Sequence, residues 1–182
     1  MSSKRKGKSI YDMVNAAMFL ALALALPFLT GQIPEIGKAL CPMHIPVLLC
    51  GFFCGPFYAM IVGLIAPLLR FVLFGMPPMP TGIAMCFELA AYGLLAGLLY
   101  RALPKKPVFV YVALLVAMIG GRLVWGAARV VLLGLGLAKF SWEMFLSGAI
   151  LDAIPGIIVQ IVLIPILVIA LKKYTAVQER GA

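Results

Sequence analysis

The fold is decided by residues 45–74, which read IPVLLCGFFCGPFYAMIVGLIAPLLRFVLF. Arg70 is the one charged residue in this stretch, and the Gly55-Pro56 pair divides it into two apolar runs. A helix over Ile45–Phe57 covers about 20 Å at about 1.5 Å per residue, less than the about 30 Å of a bilayer's hydrocarbon core. The sequence therefore predicts a short or broken helical hairpin, Ile45–Phe57 followed by Tyr58–Phe74, that its neighbours partly bury.

The composition of the whole chain indicates that its solvent is a lipid bilayer. Of 182 residues, 64% are apolar and only 12% are charged, and the mean hydropathy is +1.13. Soluble domains are about 45–50% apolar even when glycine is counted. The chain has too little polar surface for a soluble enzyme domain and is too apolar for a disordered protein. We expect an all-α integral membrane protein.

Four further apolar runs complete a predicted bundle of six transmembrane helices. They are Ile10–Leu29, Thr81–Arg101, Val108–Leu137 and Met144–Lys173. We expect a single membrane domain over residues 1–182, in which residues 1–9 form a basic segment, residues 10–173 hold the six spans and residues 174–182 form a tail. The short connections leave no room for an extramembrane domain.

The basic residues predict the orientation of the bundle. The net charge is +9, and ten of the 15 basic residues fall in three short segments: Lys4, Arg5, Lys6 and Lys8; Arg101, Lys105 and Lys106; and Lys172, Lys173 and Arg180. With six crossings all three segments lie on one side, which the positive-inside rule makes the cytoplasm. Both termini are then cytoplasmic.

Two alternatives to this topology stay open. If the hairpin is one kinked or re-entrant segment, five crossings put the loop around Arg101 opposite the basic N-terminus, against the charge bias. If the first 26 residues are a cleaved signal peptide, five spans also result. The distribution of charge favours six spans.

Ionisable residues inside spans are the candidates for function. Each costs about 2.5–3.5 kcal/mol to insert, so each needs a partner or a purpose. Five lie in or near the predicted spans: Arg70, Glu88, Arg122, Arg129 and Asp152. One interpretation is that the arginines form structural ion pairs with the two acids. The other starts from the excess of one cation, which favours an anionic ligand because arginine binds carboxylate and phosphate.

Spacing adds further candidates around these charges. Arg122 and Arg129 are two helical turns apart, about 10 Å, and Trp125 lies between them on the same stripe. Such a stripe predicts the lining of a polar cavity, to which Tyr92 and Gln160 add neutral polar groups. His44 is the only histidine, and we expect it to make a hydrogen bond at a helix entry or in a loop.

No motif for catalysis or metal binding is present. The sequence has no HExxH, no GxSxG and no P-loop, and its four cysteines lack disulfide or zinc spacing. We therefore expect no enzymatic activity, no metal and no cofactor bound by this chain.

A stripe of small residues marks the first predicted helix. Ala17, Ala21 and Ala25 recur every four residues, a spacing that lets another helix approach closely in lipid. The approaching helix belongs either to this chain or to a partner.

The segment from Cys41 to Tyr100, above all PMHIPVLL, GMPP and FELAAYG, resembles the substrate-binding (S) components of energy-coupling factor (ECF) transporters. PGIIVQIVLIPIL in the last span is similar as well. This resemblance implies a multi-pass protein of a prokaryotic plasma membrane that binds a vitamin or vitamin-like compound in a pocket near the outer face. It also implies a transmembrane coupling subunit and two cytoplasmic ATPases, which use ATP, and it makes Ala17, Ala21 and Ala25 the docking stripe.

The sequence predicts the family more specifically than it predicts the substrate. The arginine excess fits a carboxylate-bearing vitamin, and the resemblance favours pantothenate, with cobalamin and folate as alternatives. The expected substrate-binding residues are His44, Arg70, Glu88, Tyr92, Arg122, Trp125, Arg129 and Asp152. A self-sufficient secondary carrier, in which the same charges form an ion path, is the rival interpretation.

Overall fold

The computed structural model describes residues 2–29, 40–104, 106–136 and 154–181. These residues form six helices and no strand. The helices are α1 (Ser2–Leu29), α2 (His44–Phe53), α3 (Pro56–Phe74), α4 (Met79–Ala102), α5 (Pro107–Gly134) and α6 (Ile154–Gly181). The all-α prediction is confirmed. The basic residues after Ser2, predicted to precede the first helix, continue it instead, and the predicted start of the last span at Met144 lies outside the described residues.

Five stretches of the described helices are long and apolar enough to cross a membrane. They are Ile10–Phe28, Pro56–Phe74, Met79–Ala102, Pro107–Gly134 and Ile154–Lys172. The helix α2 has only 10 residues, about 15 Å, and eight of them are buried, which agrees with the short, buried half of the predicted hairpin.

The hairpin between α2 and α3 turns at Cys54 and Gly55. The Cys54 N–H donates to the Cys50 carbonyl at 2.8 Å, closing α2. Gly55 then adopts φ 94°, a conformation that glycine tolerates and other residues avoid. Pro56 opens α3, where its missing N–H costs nothing. Phe57, predicted to end the first half of the hairpin, therefore belongs to α3, because the break falls before Pro56 and not after it.

Glycines bring α3 and α4 into backbone contact. A Cβ atom on Gly93 would lie 2.6 Å from the backbone of Ala59, and one on Gly97 would lie 2.5 Å from the backbone nitrogen of Pro56. Residue numbers rise along α4 as they fall along α3 in these contacts, so the two helices are antiparallel.

Contacts of α4 with α2 and α5 determine how far along these helices the candidate site lies. The α2 residues His44 and Gly51 face Glu88 and Gly93, so α2 runs parallel to α4. The α5 residue Gly121 packs on the ring of Tyr92. The first residue of α2 thus lies beside the middle of α4 and of α5.

Candidate functional site

Five side chains meet in the interior of the bundle and form what we call the Glu88 cluster: Cys41, His44, Glu88, Tyr92 and Arg122. Glu88 follows the first residue of α4 by nine positions, about 13 Å along the helix, and precedes its last residue by about 21 Å. Glu88 is only 1% exposed. The cluster is therefore well inside the apolar part of the bundle rather than at a helix end.

An ion pair is the centre of this cluster. The Nη1 atom of Arg122 lies 2.9 Å from Oε1 of Glu88, and the Arg122 side chain is 17% exposed. The other terminal nitrogen, Nη2, faces the Sγ atom of Cys41 at 3.8 Å. Breaking a buried pair by removing one partner typically costs about 3–5 kcal/mol, because the other charge is left uncompensated. This pairing agrees with part of the structural ion-pair interpretation.

His44 contacts both cluster residues of α4, Glu88 and Tyr92. Its Nε2 atom is 3.6 Å from Oε1 of Glu88, and its ring meets the Tyr92 ring edge to face at 5.2 Å. The hydrogen bond at the helix entry comes from the His44 backbone N–H to the Cys41 carbonyl, at 3.0 Å. The imidazole itself makes no hydrogen bond within the described part of the chain.

Several buried polar atoms of this region lack hydrogen-bond partners among the described residues. In the cluster they include Nδ1 and Nε2 of His44 and Nε of Arg122. Oε1 of Gln160 on α6 also lacks such a partner, and no described contact joins it to the cluster. A buried donor or acceptor without a partner costs about 1–3 kcal/mol. The arrangement can therefore repay that cost by binding a molecule that carries oxygen and nitrogen groups.

Arg70, expected to bind substrate, does not reach this cluster. It is 5% exposed, and its Nη1 atom donates to the backbone carbonyl of Leu24 on α1 at 3.1 Å. The rings of Phe28 and Phe74 lie 5.6 and 5.7 Å from its guanidinium carbon. These contacts join the last turn of α3 to the last turns of α1, so the described partners of Arg70 are structural.

The predicted stripe on α5 divides into two parts. Arg122 faces α4, whereas Arg129 lies over the ring of Trp125 with its guanidinium carbon 5.7 Å from the ring centre. Arg129 and Trp125 are partly buried. Asp152, the second predicted acid, lies outside the described residues.

The alanine stripe of α1 faces away from the bundle. Ala17, Ala21 and Ala25 are exposed, whereas Ala16 and Ala23 are buried against the rest of the chain. The smooth face is therefore not used for packing within the described part of this chain.

Two contributions to the site were not predicted from the sequence. The spacing of the cysteines predicts no disulfide or metal role for Cys41, yet its thiol contacts Arg122. All four cysteines are free and buried. The position of Cys41, three residues before the only histidine of the sequence, could have indicated this contact. The second contribution is the glycine contact between α3 and α4, which the spacing of Gly93 and Gly97 could have indicated. The described residues hold no group of three or more metal-ligating side chains.

Comparison with known families identifies the chain. The family model of the ECF transporter, substrate-specific component, matches residues 11–168. Neither the curated proteins nor the solved structures gave a match. That family consists of substrate-binding components of a transporter and not of enzymes. The several long apolar helices of the chain agree with a multi-pass membrane protein. The chain belongs to the substrate-specific components of ECF transporters.

Proposed function

We propose that this chain captures a small organic substrate at the Glu88 cluster and presents it to an ECF module for import. The observation that carries the proposal is the set of buried nitrogen atoms on His44 and Arg122 that have no hydrogen-bond partner among the described residues. They surround an ion pair already formed between Arg122 and Glu88. A substrate supplies the missing partners without having to reorganise that pair, which keeps the cost of binding low.

The chemistry of binding follows from which atoms are unpartnered. The Nε–H group of Arg122 is a donor and needs an acceptor oxygen. The imidazole of His44 offers one or two donors, depending on its protonation. Glu88 holds Arg122 in place and, with Tyr92, closes the side of the site toward α4. The chain itself binds no cofactor in this mechanism.

We propose pantothenate as the first candidate substrate, with cobalamin and folate as alternatives. Support comes from Arg122, whose buried Nε–H group has no hydrogen-bond partner among the described residues. A carboxylate oxygen is an acceptor that suits such a donor. Trp125 and Arg129, which lie about one and two turns from Arg122 toward the end of α5 and contact each other, are proposed as further contacts.

The proposed arrangement in the membrane has six passages with both termini cytoplasmic, in a prokaryotic plasma membrane. The helix α2 is one of the passages although it covers only about 15 Å. The basic segments at both ends and around Arg101 then share the cytoplasmic side. In this proposal residues 1–182 form one membrane domain.

The proposed partners are a transmembrane coupling subunit and two cytoplasmic ATPases. Exposed Ala17, Ala21 and Ala25 provide a smooth helical face on which a partner helix can pack closely. Hydrolysis of ATP belongs to the partner subunits, because this chain has no P-loop.

The test is substrate binding by the purified full chain. A thermal-shift screen with pantothenate, folate and cobalamin is expected to show stabilisation by one of them, as any ligand that binds only the native state raises the melting temperature. Arg122→Gln is expected to weaken that binding at least tenfold, whereas Arg101→Gln, which changes an exposed arginine, leaves it unchanged.

Uptake by proteoliposomes separates the proposal from the rival carrier. Import is expected only when the coupling subunit, the ATPases and ATP are present. Import by this chain alone under an ion gradient contradicts the proposal.

A further inference from the structure

The charge balance of the Glu88 cluster restricts what it binds. The fixed charges of the cluster are the Glu88 carboxylate and the Arg122 guanidinium, which face each other at 2.9 Å and cancel. An anionic group that enters a buried site is unfavourable unless a positive charge accompanies it. A carboxylate that binds here therefore needs one further positive charge.

Two features of the cluster nevertheless favour an acceptor oxygen. The Nε–H group of Arg122 is buried and has no partner in the described part of the chain. The 10-residue helix α2 begins at His44, so its N-terminal end, which carries partial positive charge, is at the level of Glu88. Both features attract a negatively charged oxygen.

His44 is the group that can supply the missing charge. It is 3% exposed, neither ring nitrogen has a hydrogen-bond partner among the described residues, and Nε2 lies 3.6 Å from Oε1 of Glu88. When protonated, the ring donates from both nitrogens, so it can bridge Glu88 and a second carboxylate. When neutral, one nitrogen is an acceptor and suits an amide or hydroxyl donor instead.

We propose that the cluster binds its substrate as a carboxylate together with one proton, which His44 takes up from solvent as the substrate enters. His44 is then the residue that selects an acid over its own amide or alcohol. This inference rests on the proposed function, since it takes the Glu88 cluster as the substrate site. No covalent bond changes, and the proton returns to solvent when the substrate leaves.

Neither Arg122 nor Cys41, which also belong to the cluster, takes up this proton. In the described part of the chain, the titratable and charged groups that face it are Glu88 and Tyr92 of α4, Arg122 of α5 and Cys41. Arginine stays charged between pH 6 and 8. Burial raises the pKa of the Cys41 thiol above its usual value, so this thiol stays protonated. Imidazole is the side chain that changes charge near neutral pH.

The experiment is isothermal titration of the full chain in lipid nanodiscs between pH 6 and 8. Three matched pairs of an acid and its neutral derivative are used: pantothenate and pantothenol, nicotinate and nicotinamide, and biotin and biotinamide. Because the complex holds one proton more than the free species, the Kd of the binding acid is expected to rise with pH, by up to tenfold per pH unit. Its neutral derivative is expected to bind at least tenfold more weakly, with no dependence on pH.

Two further measurements make the outcome decisive. Titrations in phosphate and in Tris, which differ in ionisation enthalpy, are expected to show uptake of about one proton per acid bound. His44→Gln is expected to abolish this uptake, whereas Arg101→Gln, at an exposed position outside the cluster, retains it. If His44→Gln does not fold, the proton count of the unaltered chain decides alone.

The results that overturn the inference are distinct from those that overturn the proposed function. Equal binding of an acid and its neutral derivative, with no proton uptake, refutes the role of His44 and leaves substrate capture standing. Failure of the three acids and of folate to bind refutes the proposed vitamin-acid substrate and this inference together.

Discussion

Arginine has different roles at different positions of this chain. Arg122 is paired with a carboxylate in the interior, whereas Arg70 donates to a backbone carbonyl and lies between two aromatic rings. The sequence shows only that both are costly in a membrane. Which of them belongs to the site depends on the neighbouring helix: α4 brings Glu88 to Arg122, and α1 brings Leu24 and Phe28 to Arg70.

Replacing Arg70 by Met is therefore expected to lower stability without changing the site. A hydrogen bond from a charged group contributes about 1.5–3 kcal/mol, so we expect a loss of about 2 kcal/mol in the free energy of unfolding. Denaturant unfolding of the purified protein measures it. Substrate affinity should change less than about twofold, and a tenfold loss would return Arg70 to the substrate-binding residues.

Close packing of α3 on α4 depends on residues without side chains at the contact. Gly93 faces the backbone of Ala59, and Gly97 faces the backbone of Pro56. Direct backbone approach of this kind is common between membrane helices, where lipid provides no hydrophobic force to drive them together. The same contacts hold Glu88 in register with α2.

Gly93→Ala is expected to destabilise the bundle. The added Cβ atom would lie 2.6 Å from the Ala59 backbone, and forcing extra volume into a packed interior costs about 1–3 kcal/mol. Thermal unfolding is the measurement. Gly134→Ala is the matched control, because a Cβ atom there meets nothing within 4 Å; equal effects of the two substitutions would contradict the importance of this contact.

The exposed alanines of α1 lead to a prediction about assembly. Ala21→Phe is expected to leave substrate binding intact and to abolish co-purification with the coupling subunit and ATPases, because a bulky side chain keeps a partner helix away. Ile119→Phe, at a 63% exposed position of α5, is the control and should co-purify normally. Loss of substrate binding in Ala21→Phe would mean that the stripe supports the bundle itself.

The arrangement of the six helices in the membrane is testable through the chain ends. Fusion of green fluorescent protein after Ala182, or its insertion after Pro104, is expected to give fluorescent cells, and alkaline phosphatase at the same positions should be inactive. The reason is that the positive-inside rule is expected to place all three basic segments in the cytoplasm. Fluorescence at one position and phosphatase activity at the other would show an odd number of crossings between them.

Hydropathy and turn residues made most of the fold predictable. The apolar runs located the helices, and Gly55-Pro56 located the hairpin, although the pair could not show that the break precedes Pro56. Two residues of the Glu88 cluster that share one helix, Glu88 and Tyr92, were candidates from cost and spacing. An ion pair between an arginine and Glu88 was one of the two interpretations, but that the arginine is Arg122 was not predictable. It depends on how α4 and α5 are rotated against each other, which both helices, apolar on most sides, leave undetermined in sequence.

The glycine contact between α3 and α4 also limits how the protein can move. Backbone lies against backbone at Gly93 and Gly97, and no side chain at these two contacts can rearrange, so α3 and α4 are expected to move together. The proposed entry of substrate to Glu88 is then expected to involve displacement of another helix, such as α1, α5 or α6, relative to this pair.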